Sequence, residues 1–374
     1  MKTVTEILGG AQTLLPLSFD IQRCFEEYLT DEHRCFISLL RVVEDALPKT
    51  IARSLSKTGR PPCPNEPIMR AFLAKSFFRI ATIADLRNRL LNDPNLRRIC
   101  DFDAVPSPAT FSRRLKDFSE GPRMAQALTT MVVRYHEGRI IGHISRDSTA
   151  IETRETPVNK RRDVVPATPK RKRGRPRKGE VRPRKEPSLL EAQLSLTASN
   201  SLSRLQKECA WGCKKNSQGN ISTWKGYKLH LDVSDTGFPI TAIVTGANVH
   251  DSQAAIPMEK LTGRKVQHLY SLMDAAYDAE AISTFIREQG RVPLIDPNKR
   301  RGPERIPFSP AQKQRFRIRT TVERANAHLK DWLLPSQIFV RGIAKVSFVL
   351  MCGVLCLAAA KALQYFIVPA LKPA

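Results

Sequence analysis

Three carboxylates stand out for the residues around them. Asp147 lies in SRDST behind the β-branched run RIIGHIS, Asp274 closes HLYSLMDA, and Glu323 sits in RFRIRTTVERANAHLKDW. Each aspartate follows a short apolar stretch with the character of a buried strand. This predicts that both end strands, on rigid edges rather than mobile loops. Two acids on neighbouring strand ends can share divalent cations. Two Mg²⁺ ions about 3.5 to 4 Å apart activate an attacking oxygen and stabilise a leaving one in phosphoryl transfer. Taken singly, each Asp also reads as a turn residue that terminates its strand.

Glu323 is more informative because of its helical neighbours. At about 100° per residue, Phe316, Arg319, Glu323 and Lys330 fall within a stripe roughly 60° wide. One aromatic, two cations and an acid then share a helix face. Arg319 and Glu323 are also an i, i+4 pair that a plain salt-bridged surface helix would carry. On the functional reading, Glu323 joins the metal ions while Arg319 and Lys330 neutralise phosphates beside it.

The charge balance points to a polyanionic partner. The 374 residues carry 61 Lys and Arg against 36 Asp and Glu, a net +25, and nucleic acid is the expected partner. Residues 158 to 187 hold 13 of the cations and three acids, with several prolines and almost nothing apolar. Such a stretch cannot bury a core and is expected to be disordered alone. Within its KRKRGRPRKG, Arg173, Gly174, Arg175 and Pro176 form an AT-hook core, an extended tripeptide that lays two arginines in the narrow minor groove of A·T tracts. The bland alternative is a polybasic linker that binds phosphate without base preference.

The elements that must position these residues divide the chain. Residues 1–138 read as helical, from the spacing in ISLLRVVEDAL and IMRAFLAKSFFRI and from Thr82 with Asp85 as a capping box for IADLRNRLL. PSPATFSRRLKDF predicts a helix with Arg113, Arg114 and Lys116 behind its cap, either a DNA-reading helix or a solvated basic face. From Arg139 the pattern becomes α/β. Further strands are expected at 227–235, 239–247, 268–275 and 292–296, and helices at AEAISTFIREQG and from Pro310 to Trp332. This second unit spans 139–343, with the basic insert placed at about 153–222. In 344–374, the uncharged run from Val346 to Ala360 is too short to span a membrane and predicts a helix packed on the core.

The eight cysteines include no C-x-x-C pair, so free thiols in a reducing compartment are expected. A zinc site on Cys209 and Cys213 would need two further ligands that the neighbouring sequence does not offer. The N-terminal stretch lacks a secretion signal. The expected setting is the cytoplasm, in association with the nucleoid, with no membrane partner.

The F-x2-R-x3-E-x6-K spacing resembles the Y-x2-R-x3-E-x6-K signature of bacterial insertion-sequence DDE transposases. SRDST, GYKLHL, TGANVHDSQ and DAAYDA occur in that family's order, and Pro61 to Leu115 resembles its helical preceding domain. The likeness runs from about 60 to 360. It implies an RNase H-like mixed-sheet core, preceded by an all-α domain that binds DNA or dimerises. Asp147, Asp274 and Glu323 would bind two Mg²⁺ ions, with Mn²⁺ as a substitute, and cut and join double-stranded DNA at terminal inverted repeats. Arg319 and Lys330 would hold the DNA backbone, and the active species would be a homodimer or higher oligomer.

Two departures are evident. Phe316 stands where the signature has Tyr, which keeps stacking on DNA but removes a hydroxyl. In addition, 127 residues separate the aspartates and only 49 separate Asp274 from Glu323, so the core is interrupted early. Asp278 is a rival to Asp274, and His250 and Asp251 in NVHDS are expected near the site, with a helix cap as the alternative for Asp251. A catalytically inactive, domesticated DNA-binding protein, or an RNase H-like nuclease or resolvase without joining activity, would share much of this pattern. The intact three acids and two cations favour the transposase. Deleting 158–187 is expected to weaken DNA binding and flatten its salt dependence. An unchanged slope of log affinity against log salt would show that these cations do not touch phosphate.

Overall fold

The computed structural model of the chain describes residues 29–48, 63–157, 187–215, 219–297 and 307–370. Among these residues six helices come first: α1 (Asp31–Ala46), α2 (Asn65–Phe77), α3 (Ile83–Asn92), α4 (Pro94–Ile99), α5 (Pro108–Ser119) and α6 (Arg123–His136). Local sequence fixes several of their starts. Thr82 and Asp85 form the expected reciprocal capping box, and Ser107 accepts from the Thr110 N–H with Pro108 just inside the helix.

The strands that follow are β1 (Ile140–Glu152), β2 (Ala210–Lys215), β3 (Ile221–Val233), β4 (Pro239–Gly246), β5 (Gln267–Met273) and β6 (Val292–Ile295). They form one mixed sheet in the order β2-β3-β1-β5-β6, with β4 also paired to β3. β1 runs antiparallel to β3 and parallel to β5, and β6 is parallel to β5. Gly226 is the residue at which β3 passes from β2 to β1. Its φ is +147°, and a Cβ there would lie 2.2 Å from the Ile151 carbonyl oxygen, so only glycine fits. The α/β class expected from the strand and helix pattern is the one observed.

One expectation is corrected. Asp147 does not end its strand, because β1 continues to Glu152 through the whole of SRDST. What ends near Asp147 is the pairing with β5, whose last pair is Ser145 with Leu272, while pairing with β3 runs on. The span 153–222, where the basic insert is expected, also holds regular elements. Arg173, Gly174, Arg175 and Pro176 lie outside the described residues, but α7 (Leu189–Ser195), α8 (Ala198–Ser203) and β2 are ordered parts of the fold. The change follows composition: the run of cations stops at Lys185, and Ser188 with Glu191 then forms a capping box for α7. Lys260, on α9 (Asp251–Gly263), donates to the carbonyls of Gln193, Leu194 and Leu196 and so closes the end of α7.

The two faces of the sheet differ. Leu229, Leu231 and Val233 of β3 join a single apolar core with the N-terminal helices and with α13 (Ile343–Ala362). That helix accounts for the apolar run near the C-terminus. Its residues from Phe348 to Ala359 are all buried, against α1, α2, α6 and β4. The opposite face, beneath α9, carries a polar cluster beside a small apolar one, in which Ala255, Ile256 and Met273 meet Ile282, Phe285 and Ile286 of α10 (Glu280–Glu288). Arg146, 1% exposed, gives Asp232 two hydrogen bonds of 2.7 and 2.8 Å, and it reaches Glu259 at 3.0 Å and the Ala255 carbonyl at 3.0 Å. Thr262 also donates to Asp232, and Arg291 to Glu259. Burial works to raise the Glu259 carboxyl, but the His268 hydrogen bond and the charges of Arg146, His268 and Arg291 hold it well below the carboxylate range.

Removing Arg146 leaves the buried Asp232 without its ion-pair partner. Arg146→Met is therefore expected to lower the unfolding free energy by about 3 to 5 kcal/mol in urea titration. A loss under about 1 kcal/mol would show that the cluster does not hold β1 to α9.

Candidate active site

The parallel register between β1 and β5 sets the two aspartates side by side. Two residues beyond Ser145 and Leu272, the same register brings Asp147 level with Asp274. There β5 has ended in a 3-10 turn, Ala275–Tyr277, and the Asp274 carboxylate caps it by accepting from the Ala276 N–H at 3.0 Å. Asp147 is on the face opposite its neighbour Arg146, because successive strand side chains alternate. The outcome is a crevice at the carboxyl ends of two parallel strands where their ladder opens, the usual place for a ligand in an open α/β sheet.

The electrostatics record this closeness. Burial, then the neighbouring Asp274 charge, pushes the Asp147 carboxyl up to about 6, against the opposing pull of the Ser148 N–H, Arg319 and Lys214. Asp274 is raised as well, first by burial and further by Asp251, while the Ala276 N–H, Arg319 and Lys214 oppose it.

The helical segment from Pro310 crosses this crevice in four pieces rather than as one uniform helix. They are α11 (Pro310–Phe316), a 3-10 turn (Arg317–Arg319), α12 (Thr320–His328) and a π turn (Leu329–Leu333). Ser145 of β1 pins the segment, donating to the Ile318 carbonyl at 3.4 Å and accepting from Thr321 at 3.3 Å. Val322, Ala325 and Leu329 enter the core. Asn326, between them, donates from Nδ2 to Asp147 Oδ2 at 3.2 Å.

Glu323 is the member of the expected triad that stays apart. Its side chain is 49% exposed and bonded to Arg319 at 2.5 Å, so the bland i, i+4 pair is present. Among the described residues, no three acids, imidazoles or thiols gather as a metal-binding group. Arg319 instead shares its charge with Glu323, Asp147 and Asp274. Oxygen donors that repel one another fit a divalent cation, which would relieve the repulsion raising Asp147. Asp147 and Asp274 meet that condition as they stand, whereas Glu323 is paired with Arg319.

The remaining expected residues fall at varied distances from the crevice. Lys330 is exposed on the π turn; burial of its stem and the charge of Lys214 lower its pKa, while Glu152 and Asp147 act in the other direction. Phe316 packs on Phe308 at 5.2 Å between ring centroids, with the Arg319 guanidinium 5.9 Å from its ring. Asp278 closes the 3-10 turn that Asp274 opens. His250 is the cap of α9, and Asp251 pairs with Lys228 at 2.9 Å, which ties the GYKLHL and NVHDS motifs together. On α5, Arg114 donates to the Cys63 carbonyl at 3.1 Å and is half-buried, whereas Arg113 is exposed. Cys213 is an exposed free thiol and Cys209 a buried one.

Asn326 and Lys214 had not been singled out from the sequence. Asn326 stands three residues beyond Glu323, a spacing that puts the two on neighbouring positions of a helix surface. Lys214 offered no such signal, because its stretch reads as part of the basic insert.

A family model described as Transposase DDE domain matches residues 141–357, and one described as Transposase domain (DUF772) matches residues 23–117. No curated protein and no solved structure matched the chain. The first match spans β1 to α13, and with them the crevice and the mixed sheet of an RNase H-like domain. The chain therefore belongs to the DDE transposases of insertion sequences, enzymes that cleave and join DNA with the help of divalent metal ions.

Proposed function

We propose that Asp147, Asp274 and Glu323 are the catalytic carboxylates of a transposase of the YREK-signature type, acting with two Mg²⁺ ions for which Mn²⁺ can substitute. The observation that carries this reading is the level placement of Asp147 and Asp274 where β1 and β5 part, with a repulsion that raises Asp147. Bound there, the cations would supply activation of the attacking oxygen and stabilisation of the leaving one. The chain itself does the holding. Arg319, Lys330 and Lys214 form a cationic rim that takes the phosphates, and Phe316 lies against Arg319 as an aromatic surface for DNA. Glu323 exchanges its Arg319 partner for the metal site as DNA phosphate draws Arg319 away.

On this reading, residues 1–138 bind the terminal inverted repeats and support dimerisation, with Arg113 facing DNA. Arg173, Gly174, Arg175 and Pro176 contact an A·T-rich minor groove, and α13 packs the C-terminal segment on the core of 139–343. The active species is a homodimer or higher oligomer on double-stranded DNA, in the cytoplasm at the nucleoid.

Asp147→Ala, Asp274→Ala and Glu323→Ala should each reduce Mg²⁺-dependent cleavage of an end-bearing duplex to background while gel-shift affinity for that duplex persists. Any variant that still cleaves removes its residue from the triad. Asp147 also gives a pH signature. Its folded pKa of about 6 lies above the ordinary carboxylate value, so the stability it contributes is full below that value and lost as pH rises through 6. In metal-free protein, Asp147→Asn should therefore melt at a higher temperature than wild type above this range and near the wild-type temperature at about pH 4. A variant no more stable above that range would remove the repulsion from the account.

A further inference from the structure

Asn326 is buried, with only 7% of its surface exposed. It stands between core residues Val322, Ala325 and Leu329 on the helix that carries Glu323. Its Nδ2 donates to Asp147 Oδ2 at 3.2 Å. An ionised carboxylate only accepts hydrogen bonds, so the amide must present its nitrogen to Asp147. That orientation leaves Oδ1 as the other polar atom, and Oδ1 is buried with no hydrogen-bond partner among the described residues. Buried amide oxygens are costly to leave unpaired, and this one, unlike the other unpaired buried polar atoms of the described residues, belongs to a side chain bonded to Asp147. The amide is planar and short, so this oxygen is held within a few ångströms of the Asp147 carboxylate.

We propose that Asn326 is a fourth oxygen donor at the divalent-metal site: its amide nitrogen steadies Asp147 and its carbonyl oxygen faces the cation. The proposal rests on the assignment of Asp147 to that site. The chemistry fits, since hard divalent cations take neutral carbonyl oxygens alongside carboxylates. A fixed neutral donor has a particular use here. Asp147 and Asp274 already repel each other, so a third ligand without charge adds coordination without adding repulsion. Asn326 also supplies a donor that is in place before Glu323 leaves Arg319. A simple positioning residue would need only the N–H, and nothing would then account for the orphaned oxygen.

The test is Mn²⁺ binding to the full chain without DNA, followed by electron paramagnetic resonance at about pH 8, where Asp147 is ionised. Wild type is compared with Asn326→Ala, Asn326→Asp and Asp147→Ala, each checked for folding by its thermal melt. Asn326→Ala should weaken Mn²⁺ binding roughly tenfold or more. Asn326→Asp should restore it to the wild-type level or tighter, because an oxygen ligand returns with a charge. If Asn326 only positioned Asp147, Asn326→Asp would bind as weakly as Asn326→Ala, having lost the N–H donor and gained a repelling neighbour. That result overturns the proposal, as does unchanged affinity in Asn326→Ala. Should Asn326→Ala fail to fold, Asn326→Asp set against wild type still decides, because weakened Mn²⁺ binding in it contradicts the ligand role. The reading beneath the proposal fails separately, by Mn²⁺ binding that survives in Asp147→Ala.

Discussion

Arg146 passes its charge into the polar face of the sheet, and the placement of the candidate active-site crevice follows from that. It is held by two bonds to Asp232 across the β1–β3 ladder and by one to Glu259 of α9. Its neighbour in sequence is Asp147, which the alternation of the strand turns to the opposite face. Fixing one fixes the other. A slip of one residue in the register would move Arg146 into the apolar core and leave Asp232 without its charged partner. The cluster therefore selects the single register in which Asp147 reaches the crevice. It adds little net stability relative to a well-packed apolar core, because each of its charges must be stripped of water.

The crevice exists because β1 outlasts its partner. β5 stops at Met273, β1 continues with β3 to Glu152, and the two aspartates meet where the ladder opens. Two carboxylates so close need a counter-charge, and Arg319 and Lys214 supply it. The same guanidinium occupies Glu323. Arg319 thus stands between the aspartate pair and Glu323. On the proposed function, DNA phosphate and divalent cation become coupled ligands, since the first competes for Arg319 and the second for Glu323.

Much of this could be read from the residues alone. Thr82 with Asp85, Ser107 with Pro108, and the apolar run of α13 each act through contacts a few residues away, so local sequence carries their meaning. The α/β order and the stretches carrying Asp147, Asp274 and Glu323 were legible for the same reason. What escaped was set by partners distant in sequence. Arg146 finds Asp232 and Glu259, Asn326 finds Asp147, and Lys214 comes over the site on a strand whose neighbourhood resembles a polybasic linker. The end of the β1–β5 ladder is likewise a property of two strands and invisible in either one. A single regular helix from Pro310 to Trp332, as the local periodicity suggests, misses the 3-10 and π turns on either side of α12.

The central claim is that the Arg146-anchored sheet presents Asp147 and Asp274 as a ready pair, and that Glu323 completes the site only by leaving Arg319. A crystal structure of the full chain with Mn²⁺ and a duplex carrying its transposon end, phased on the manganese anomalous signal, tests this most directly. The account predicts anomalous density between Asp147 and Asp274, Arg319 on a DNA phosphate, and Glu323 turned to the metal. Manganese bound away from Asp147, or a metal-filled site with the Arg319 to Glu323 pair intact, would contradict it.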